Sequence, residues 1–370
     1  MRDNARLFAR LFCLTTFQAL FYMSFKVKVA ASGHRFTAAA DETVLEAALR
    51  EGIGLPYGCR NGACGKCAGE LLSGEIEYRQ ELRATALAES RAGKTLFCQA
   101  CAKTDLEIAV REISRVADLE IKTLPCRVEH MQLLTHDVMQ LKLKLPGNER
   151  LQFLAGQYIE FLLKDDKRRA FSIANAPHND EFIELHIRHV PDGHFGDFVF
   201  DGMQPKTLLR MQGPLGNYYL REDSSRPIIL MGGGTGYAPL KGMLEHAFYC
   251  GIDRPIHLYC GVRARRDLYM DEQCRNWAQQ HPNLSYTPVL SAPRPEDDWR
   301  GATGWVHEKV VADHPDLSHY DVYMSGPPPM IKAGMDLFYA HGLPETQIYS
   351  DSFEYSDDAL RAMGITKPAV

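Results

Sequence analysis

Residues 56–67 read PYGCRNGACGKC, and residues 96–99, further along the chain, read LFCQ. Cysteines separated by four residues, then by two, and followed by a distant fourth are typical ligands of a 2Fe–2S cluster. Glycines interrupt the loop, so its backbone can adopt positive φ and turn N–H groups towards negatively charged sulfurs. The predicted ligands are Cys59, Cys64, Cys67 and Cys98.

Structural or zinc-binding cysteines are the alternative interpretation of these residues. Zinc sites usually contain two cysteine pairs of two-residue spacing, and the second pair is missing here. The remaining cysteines among the ten show no further metal spacing. We expect Cys101, three residues after Cys98, to be a strand residue rather than a rival ligand.

Length and composition limit the class of protein. A chain of 370 residues suits two or three domains. Hydrophobic content of 45% and charged content of 24% are typical of a globular protein. The net charge of −5 gives no argument for a nucleic-acid partner. The modest cysteine content is not that of a disulfide scaffold, so we expect a reducing compartment, the cytoplasm.

The first 22 residues stand apart from this pattern. Arg2, Arg6 and Arg10 precede an apolar run at 11–22, as in a short signal sequence, but the run is too short to span a membrane. We expect an upstream start codon or a loose tail. An amphipathic helix that touches a membrane is the alternative, and stable membrane association is not expected.

The segment around the cysteine loop is a coherent small domain. Residues 25–29 and 34–38 alternate as a hairpin, 41–50 have helical spacing, and 70–78 and 105–110 read as further strands. A short helix on a mixed sheet with this loop at one end resembles the plant-type ferredoxin fold, which is β-grasp-like.

Two further domains follow from a change in strand pattern. Short alternating strands after residue 125 predict an antiparallel barrel, whereas buried apolar runs and helices after 226 predict a parallel sheet in an α/β domain. The fold class is therefore multidomain α+β and α/β. The expected divisions are an N-terminal extension (1–23), the ferredoxin domain (24–112), a linker (113–124), the barrel domain (125–223) and the α/β domain (224–370). The motifs quoted below resemble those of a family in which the last two domains bind FAD and NAD(P).

The barrel segment contains Arg169-Ala-Phe171-Ser172, which resembles the Arg-x-Tyr/Phe-Ser signature of the ferredoxin–NADP reductase superfamily. In a strand, Arg169 and Phe171 share one face and Ser172 lies on the other. The resemblance implies that Arg169 clamps the FAD diphosphate, that Phe171 lies on the isoalloxazine and that Ser172 bonds near its N5. A basic turn that enters an ordinary strand is the alternative.

A second segment of the barrel resembles the part of that superfamily that meets the flavin diphosphate at a turn and helix start. Gly196 stands where the family often has Ser or Thr, so a backbone N–H is expected to replace a side-chain contact. The cofactor-binding residues that this resemblance implies are His186, Ile187, Arg188, Gly193, Phe195 and Gly196.

The α/β segment contains MGGGTGYAP at 231–239, between a strand and a helix, where a diphosphate can meet free N–H groups. Pro239 suits the first helical turn. YMSGPPPM at 323–330 resembles the family's nicotinamide motif, with Ser325 in place of its Cys. A rigid turn is the alternative for the proline run. The residues implied are Gly234, Thr235, Gly236, Pro239, Ser325, Gly326, Pro327 and Met330.

Two signals concern the coenzyme and the chain end. Arginines in GVRARRDLY at 261–269 could favour a 2′-phosphate, but Arg263-x-x-x-Asp-Leu-Tyr resembles the NADH-using branch, so we expect NADH rather than NADPH. YSDSF at 349–353 resembles the terminal strand that brings an aromatic ring, here Phe353, over the flavin. A core aromatic at a strand end is the alternative. Ser172, Ser325 and Phe353 are the predicted residues at the reacting rings.

Together the three domains imply electron transfer from NADH through FAD and the cluster to a protein acceptor, without acid–base catalysis. Across 24–355 the chain resembles reductases with the ferredoxin domain first, and most of all the CDP-6-deoxy-Δ-3,4-glucoseen reductases. That resemblance implies a pyridoxamine-phosphate dehydrase of 3,6-dideoxyhexose synthesis as acceptor. The alternatives are the reductase component of an aromatic-ring or alkane oxygenase and, in another class, a non-enzymatic redox sensor.

Overall fold

The computed structural model describes residues 23–51, 53–57, 62, 65, 67–82, 84–110, 112, 119–147, 149–164, 166–190 and 193–353. The chain divides into two compact units, residues 1–119 with 147–152 and residues 120–146 with 153–370. The predictions for residues 1–22 lie outside the described residues. Among the described residues, no helix is both long enough and apolar enough to cross a membrane.

The first unit is a small mixed sheet with helices. Its elements are β1 (Ser24–Val29), β2 (Arg35–Ala39), α1 (Val44–Arg50), β3 (Ala68–Ser73), β4 (Ile76–Tyr78), α2 (Ala84–Arg91), β5 (Thr95–Leu96), β6 (Ala100–Ala102) and β7 (Leu106–Ala109). The sheet order is β2-β1-β7-β3-β5, and β4 pairs separately with β6. Only the β1–β7 pair is parallel among these pairs. The predicted β-grasp-like arrangement is confirmed.

Local sequence explains where α1 begins. Thr43 Oγ1 accepts from the Glu46 N–H at 3.2 Å, and Glu46 Oε2 accepts from the Thr43 N–H at 2.9 Å. This reciprocal capping satisfies donors that have no partner inside the helix. Val44 and Leu45 are buried on the sheet side. The helix therefore begins at residue 44, three residues after the predicted start.

The second unit opens with an antiparallel barrel. Its elements are β8 (Lys122–Thr135), β9 (Val138–Lys144), β10 (Tyr158–Leu162), β11 (Arg168–Ser172), β12 (Ile183–Arg188), α3 (His194–Asp197) and β13 (Leu208–Leu215). The strand order is β11-β10-β13-β8-β9-β12. A bridge between Ile173 and Leu185 joins the two ends, so the sheet closes. The predicted barrel is confirmed, and its first strand begins at Lys122, within the last residues of the predicted linker.

The same unit continues as a parallel sheet. Its elements are β14 (Ile228–Gly233), α4 (Tyr237–Tyr249), β15 (Ile256–Val262), α5 (Asp271–Gln280), β16 (Leu284–Leu290), β17 (Ala302–Thr303), α6 (Val306–Asp313), β18 (Asp321–Gly326), α7 (Pro328–Ala340) and β19 (Ile348–Ser352). The order is β17-β16-β15-β14-β18-β19, with every pair parallel. Every residue of β14 and β18 is buried, as expected for strands covered on both faces.

Candidate functional site

The described part of the cysteine loop supports its predicted backbone conformation. Gly62 and Gly65 have φ of 75° and 76°, the left-handed region that favours glycine. Cys67 and Cys98 are both buried, and the Phe97 N–H donates to the Cys67 carbonyl at 3.2 Å. Cys59 and Cys64 lie outside the described residues, so the convergence of all four sulfurs stays a prediction.

Cys101 has the strand position expected for it. It lies in β6 and pairs with Glu77 of β4. Burial raises the pKa of its thiol, although nearby Arg79 acts in the opposite direction. The described structure therefore agrees with a strand role for Cys101.

A large cavity lies in the second unit, bordered by the barrel and by the carboxyl ends of parallel strands. Its volume is about 1420 Å³, above the roughly 300–1,000 Å³ of an ordinary small-molecule site. Phe171 and Ser172 border it from β11, whereas Gly233 and Val262 border it from β14 and β15. The cavity therefore has room for two adjacent ligands. Ligands commonly bind at the carboxyl ends of the strands in a parallel sheet.

The glycine loop packs too closely for larger side chains. A Cβ on Gly236 would overlap the carbonyl oxygen of Ser325, and one on Gly233 would lie 2.6 Å from Met330 Sδ. Gly234 has φ of 54°, and a Cβ there would lie 3.1 Å from an Arg188 guanidinium nitrogen. The loop therefore places the backbone of a helix start beside an arginine, which suits a diphosphate.

The barrel wall of the cavity meets the last strand of the parallel sheet. Ser172 Oγ donates to Asp351 Oδ2 at 3.1 Å. Burial raises the pKa of Asp351, and the bond from Ser172 offsets this only in part. Phe353, two residues after Asp351, also borders the cavity. Its N–H donates to the Gly326 carbonyl at 3.0 Å. A hydroxyl, a carboxyl group and an aromatic ring thus lie at one end of the cavity.

A buried charged group supports the same wall. Lys241 Nζ donates to Glu245 Oε1 at 2.7 Å and to the Ala174 carbonyl at 3.2 Å, and it forms an ion pair with Glu184 Oε1 at 3.2 Å. His186 Nε2 donates to Glu184 Oε1 at 2.9 Å. Burial alone would raise the pKa of Glu184, but His186 and Lys241 lower it to about 2.

His186 is held as a neutral ring that borders the cavity. Burial lowers its pKa, although Glu184 acts in the opposite direction. With Nε2–H donating to Glu184, Nδ1 accepts from the Tyr269 hydroxyl at 3.3 Å. Tyr269 comes from the segment after β15, so this ring connects the barrel to the parallel-sheet domain.

Many of the residues implied by sequence border the cavity. They are Phe171, Ser172, His186, Arg188, Gly234, Thr235, Arg263, Pro327, Met330 and Phe353. Others are not among its lining residues: Arg169, Ile187, Gly193, Phe195, Gly196, Gly236, Pro239, Ser325 and Gly326.

Arg169 and Ser325 are two of the predicted residues that do not border the cavity. Arg169 donates to the carbonyl of Arg168 at 2.9 Å, whereas Arg188 is the arginine next to the glycine loop. Ser325 is fully buried at the end of β18. Its hydroxyl has no hydrogen-bond partner within the described ranges, so the proline motif contains a buried, unsatisfied polar atom.

Three cavity residues were missed by sequence reasoning. Asp351 stands inside the quoted segment YSDSF, and only its partner across the chain reveals its position. Asp267 borders the cavity, where its Oδ2 accepts from the Ala264 N–H at 3.0 Å. Trp305, 61% exposed, caps the start of α6 at the cavity rim. The sequence signal available for Trp305 was a tryptophan directly after a glycine.

Three family models match the chain. They describe a 2Fe-2S iron-sulfur cluster binding domain at 27–103, an oxidoreductase FAD-binding domain at 125–219 and an oxidoreductase NAD-binding domain at 230–335. The cluster, flavin and NAD modules predicted from the motifs are therefore confirmed.

Relatives match over nearly the whole chain. CDP-6-deoxy-L-threo-D-glycero-4-hexulose-3-dehydrase reductase of Yersinia pestis is 39% identical over 333 residues, 90% of this chain and 99% of that protein. The aromatic O-demethylase reductase subunit of an Amycolatopsis species is 35% identical over 338 residues, 90% of this chain and 99% of that protein.

A solved structure agrees with both. The Amycolatopsis cytochrome P450 reductase GcoB has a TM-score of 0.60 and 32% identity, covering 89% of this chain and 98% of its own. With domains and relatives in agreement, the chain is an NAD(P)H-dependent electron-transfer oxidoreductase with a protein electron acceptor, and it belongs to the ferredoxin–NAD(P) reductase family.

Proposed function

We propose that this chain uses NADH to reduce a sugar dehydrase of the CDP-6-deoxyhexose type, with electrons passing through FAD and the 2Fe–2S cluster. The observation that carries the proposal is the cavity, where the barrel wall with Ser172 faces the nucleotide loop at Gly234. Bound FAD supplies the conversion between two-electron and one-electron transfer. The protein's own part is to hold the two ring systems against each other.

Specific residues are assigned to each ligand in this proposal. Arg188 and the backbone around Gly193 and Gly196 take the FAD diphosphate, with Arg169 at its outer edge. Phe171 and Ser172 contact the isoalloxazine, Phe353 covers it, and His186, Ile187 and Phe195 shape its wall. The cluster ligands are Cys59, Cys64, Cys67 and Cys98.

The coenzyme lies along the carboxyl ends of the parallel strands. Gly234, Thr235 and Gly236 take its diphosphate at the start of α4, whose first turn contains Pro239. Ser325, Gly326, Pro327 and Met330 would hold the nicotinamide.

NADH is favoured over NADPH by the position of Asp267. A carboxylate at the end of the second strand accepts from a ribose 2′-OH and repels a 2′-phosphate. Asp267 is held there by the Ala264 N–H and lies 3.7 Å from Arg266 Nε, so part of the arginine charge is directed at this carboxylate. Exposed Arg263 remains available for the adenosine side.

The relatives support the proposed acceptor. The match to a 3-dehydrase reductase extends over 99% of that protein, cluster domain included. We therefore assign a pyridoxamine-phosphate sugar dehydrase as partner, and the cytoplasm, where NADH is available, as compartment. The domain divisions at 24–112, 125–223 and 224–370 are part of the same proposal.

The test is NADH-driven formation of deoxygenated sugar from a CDP-4-keto-6-deoxyhexose with such a dehydrase. We expect product only when this reductase is present, and an unrelated reductase of equal NADH oxidation rate serves as the matched control. NADH oxidation with an artificial acceptor but no sugar product contradicts the acceptor while leaving the electron-transfer core intact.

A reductase component of an oxygenase is the second candidate. It is favoured by the match to the aromatic O-demethylase reductase subunit over 99% of that protein. The same assay separates the two candidates if an oxygenase component replaces the dehydrase. Substrate-dependent NADH oxidation with the oxygenase alone would select this candidate.

A further inference from the structure

The last turn of α4 presents two metal-binding side chains on one face. His246 lies four residues before Cys250, which caps the helix, and side chains at this spacing are neighbours. Glu222, from the loop before β14, approaches the same face. None of the three borders the large cavity, so the electron-transfer site leaves them without a role.

Their ligand atoms are already close together. Glu222 Oε1 lies 2.9 Å from His246 Nε2, and Cys250 Sγ lies 3.7 Å from the same nitrogen. All three atoms lie within 4.8 Å of one another. Zinc bonds of about 2.0–2.3 Å in a tetrahedral site place neighbouring ligand atoms roughly 3.3–3.7 Å apart. Small side-chain shifts therefore suffice to complete three corners of a tetrahedron.

We propose that Glu222, His246 and Cys250 form a zinc site, with a water as the fourth ligand. A thiolate, an imidazole and a carboxylate are the mixed ligands that Zn²⁺ accepts, whereas Mg²⁺ and Ca²⁺ require oxygen ligands. The site is separate from the cysteine loop, because all three ligands belong to the second unit.

Packing and charge suit a cation here. The ring of His178 stacks on that of Tyr249 with centroids 3.6 Å apart and lies 6.5 Å from that of His246, which restricts the motion of His246. Glu222 Oε1 lies 2.9 Å from His246 Nε2, so a carboxylate is already directed at this position. Glu222 is exposed, so a metal ion can enter from solvent.

A metal at this place would join two segments that flank the nucleotide loop. The loop containing Glu222 leads into β14, and α4 follows that strand. Zinc would therefore connect the segment before β14 to the end of α4. The expected effect is on the stability of the second unit, and electron transfer itself needs no zinc.

The test uses the full chain loaded with FAD and cluster, titrated with Zn²⁺ against a chromophoric chelator. We expect one equivalent bound, with an X-ray absorption shell of one sulfur at about 2.3 Å and nitrogen or oxygen at about 2.0 Å. Glu222→Gln, His246→Gln and Cys250→Ser should each weaken zinc binding by more than roughly 10–100-fold. That is the loss of metal affinity expected when a residue that only hydrogen-bonds to a ligand is replaced. Cys101→Ser, in the first unit, is the matched control.

Two results would overturn the proposal. One is equal zinc affinity in the wild type and Glu222→Gln, a variant of an exposed residue that should fold normally. The other is an all-sulfur shell, which would place the zinc on cluster cysteines, so iron content is measured in every sample. A rise in melting temperature with zinc in the wild type, absent in Glu222→Gln, supports the tie between the two segments.

Discussion

Ser172 Oγ and Asp351 Oδ2 lie 3.1 Å apart, although 179 residues separate them in the chain. The bond joins the barrel to the last strand of the parallel sheet, at the end of the cavity assigned to the isoalloxazine. Asp351 is half-buried, and desolvation raises the pKa of its carboxyl group, whereas the hydrogen bond from Ser172 acts in the opposite direction.

Replacing either partner should slow reduction of the flavin by NADH. In Ser172→Ala and Asp351→Asn we expect a loss of roughly tenfold to a hundredfold, the scale of a small misplacement of reacting groups. Stopped-flow bleaching of flavin absorbance measures this step directly. Ser350→Ala, an exposed change on the same strand, should leave the rate unchanged, and an equal loss there would argue against the assigned position.

Asp351 also gives a pH dependence of stability. A carboxyl group whose pKa is raised on folding binds its proton more tightly in the folded state, so its contribution falls as pH rises from the unfolded towards the folded pKa. Asp351→Asn should therefore stabilise the protein at neutral pH and have less effect in acid. Melting temperatures of both proteins across this range give the comparison, and a uniform shift would contradict it.

The buried lysine should matter for stability more than for chemistry. Lys241→Met leaves Glu184 and Glu245 without their cation, and breaking a buried pair costs about 3–5 kcal/mol. For a unit of this size the melting temperature should fall by roughly 10 °C. Lys332→Met, on α7 and exposed beside Asp336, is the matched control, with an expected change within about 0.5 kcal/mol.

Glu184 should make the stability of the protein fall in acid. Its pKa is lowered from 4.5 to about 2, so its stabilisation is complete above pH 4.5 and is lost as pH falls towards 2. The difference in melting temperature between the wild type and Glu184→Gln should shrink over that interval. A difference that stays constant would show that the carboxylate charge is not what stabilises the wall.

Sequence reasoning succeeded where a local pattern has one physical meaning. The glycine loop was predictable because glycines between a strand and a helix indicate a tight turn, and the barrel because its strands alternate. In the structure, a Cβ at Gly236 would overlap the carbonyl oxygen of Ser325. The contacts Ser172–Asp351 and Lys241–Glu184 were not predictable, since each joins elements distant in sequence. The role predicted for Arg169 stays a prediction, because a strand pattern gives the face of a residue but not the direction of a long side chain.

Trp305 should act through the adenine of the coenzyme. We expect a dinucleotide that crosses the glycine loop at Gly234 to continue past β15 to the cavity rim, where the Trp305 indole lies. The plane of this indole is within 21° of that of the His307 ring. Stacking on a base is worth about 1–3 kcal/mol, so Trp305→Ala should weaken NADH binding about 5- to 150-fold. Trp305→Phe should retain most of the affinity.

Reduced nicotinamide mononucleotide, which lacks adenine, separates this effect from general damage. Trp305→Ala should use it as well as the wild type does, while the KM for NADH rises. Equilibrium binding of NAD⁺ or AMP, followed by isothermal titration calorimetry, provides a readout without turnover. Equal losses with both donors would mean that the indole supports the fold of α6 instead.

The last prediction concerns the cluster ligands. Cys98→Ser should lose 2Fe–2S absorbance and iron, because three thiolates remain for two irons. Flavin reduction by NADH and transfer to a small oxidant should persist, since the cavity lies in the second unit. Cys101→Ser is the stringent control: it is also a buried cysteine, three residues away, but it pairs in β6 with Glu77. Loss of iron in Cys101→Ser with retention in Cys98→Ser would reassign the fourth ligand, whereas the reverse pattern fixes it at Cys98.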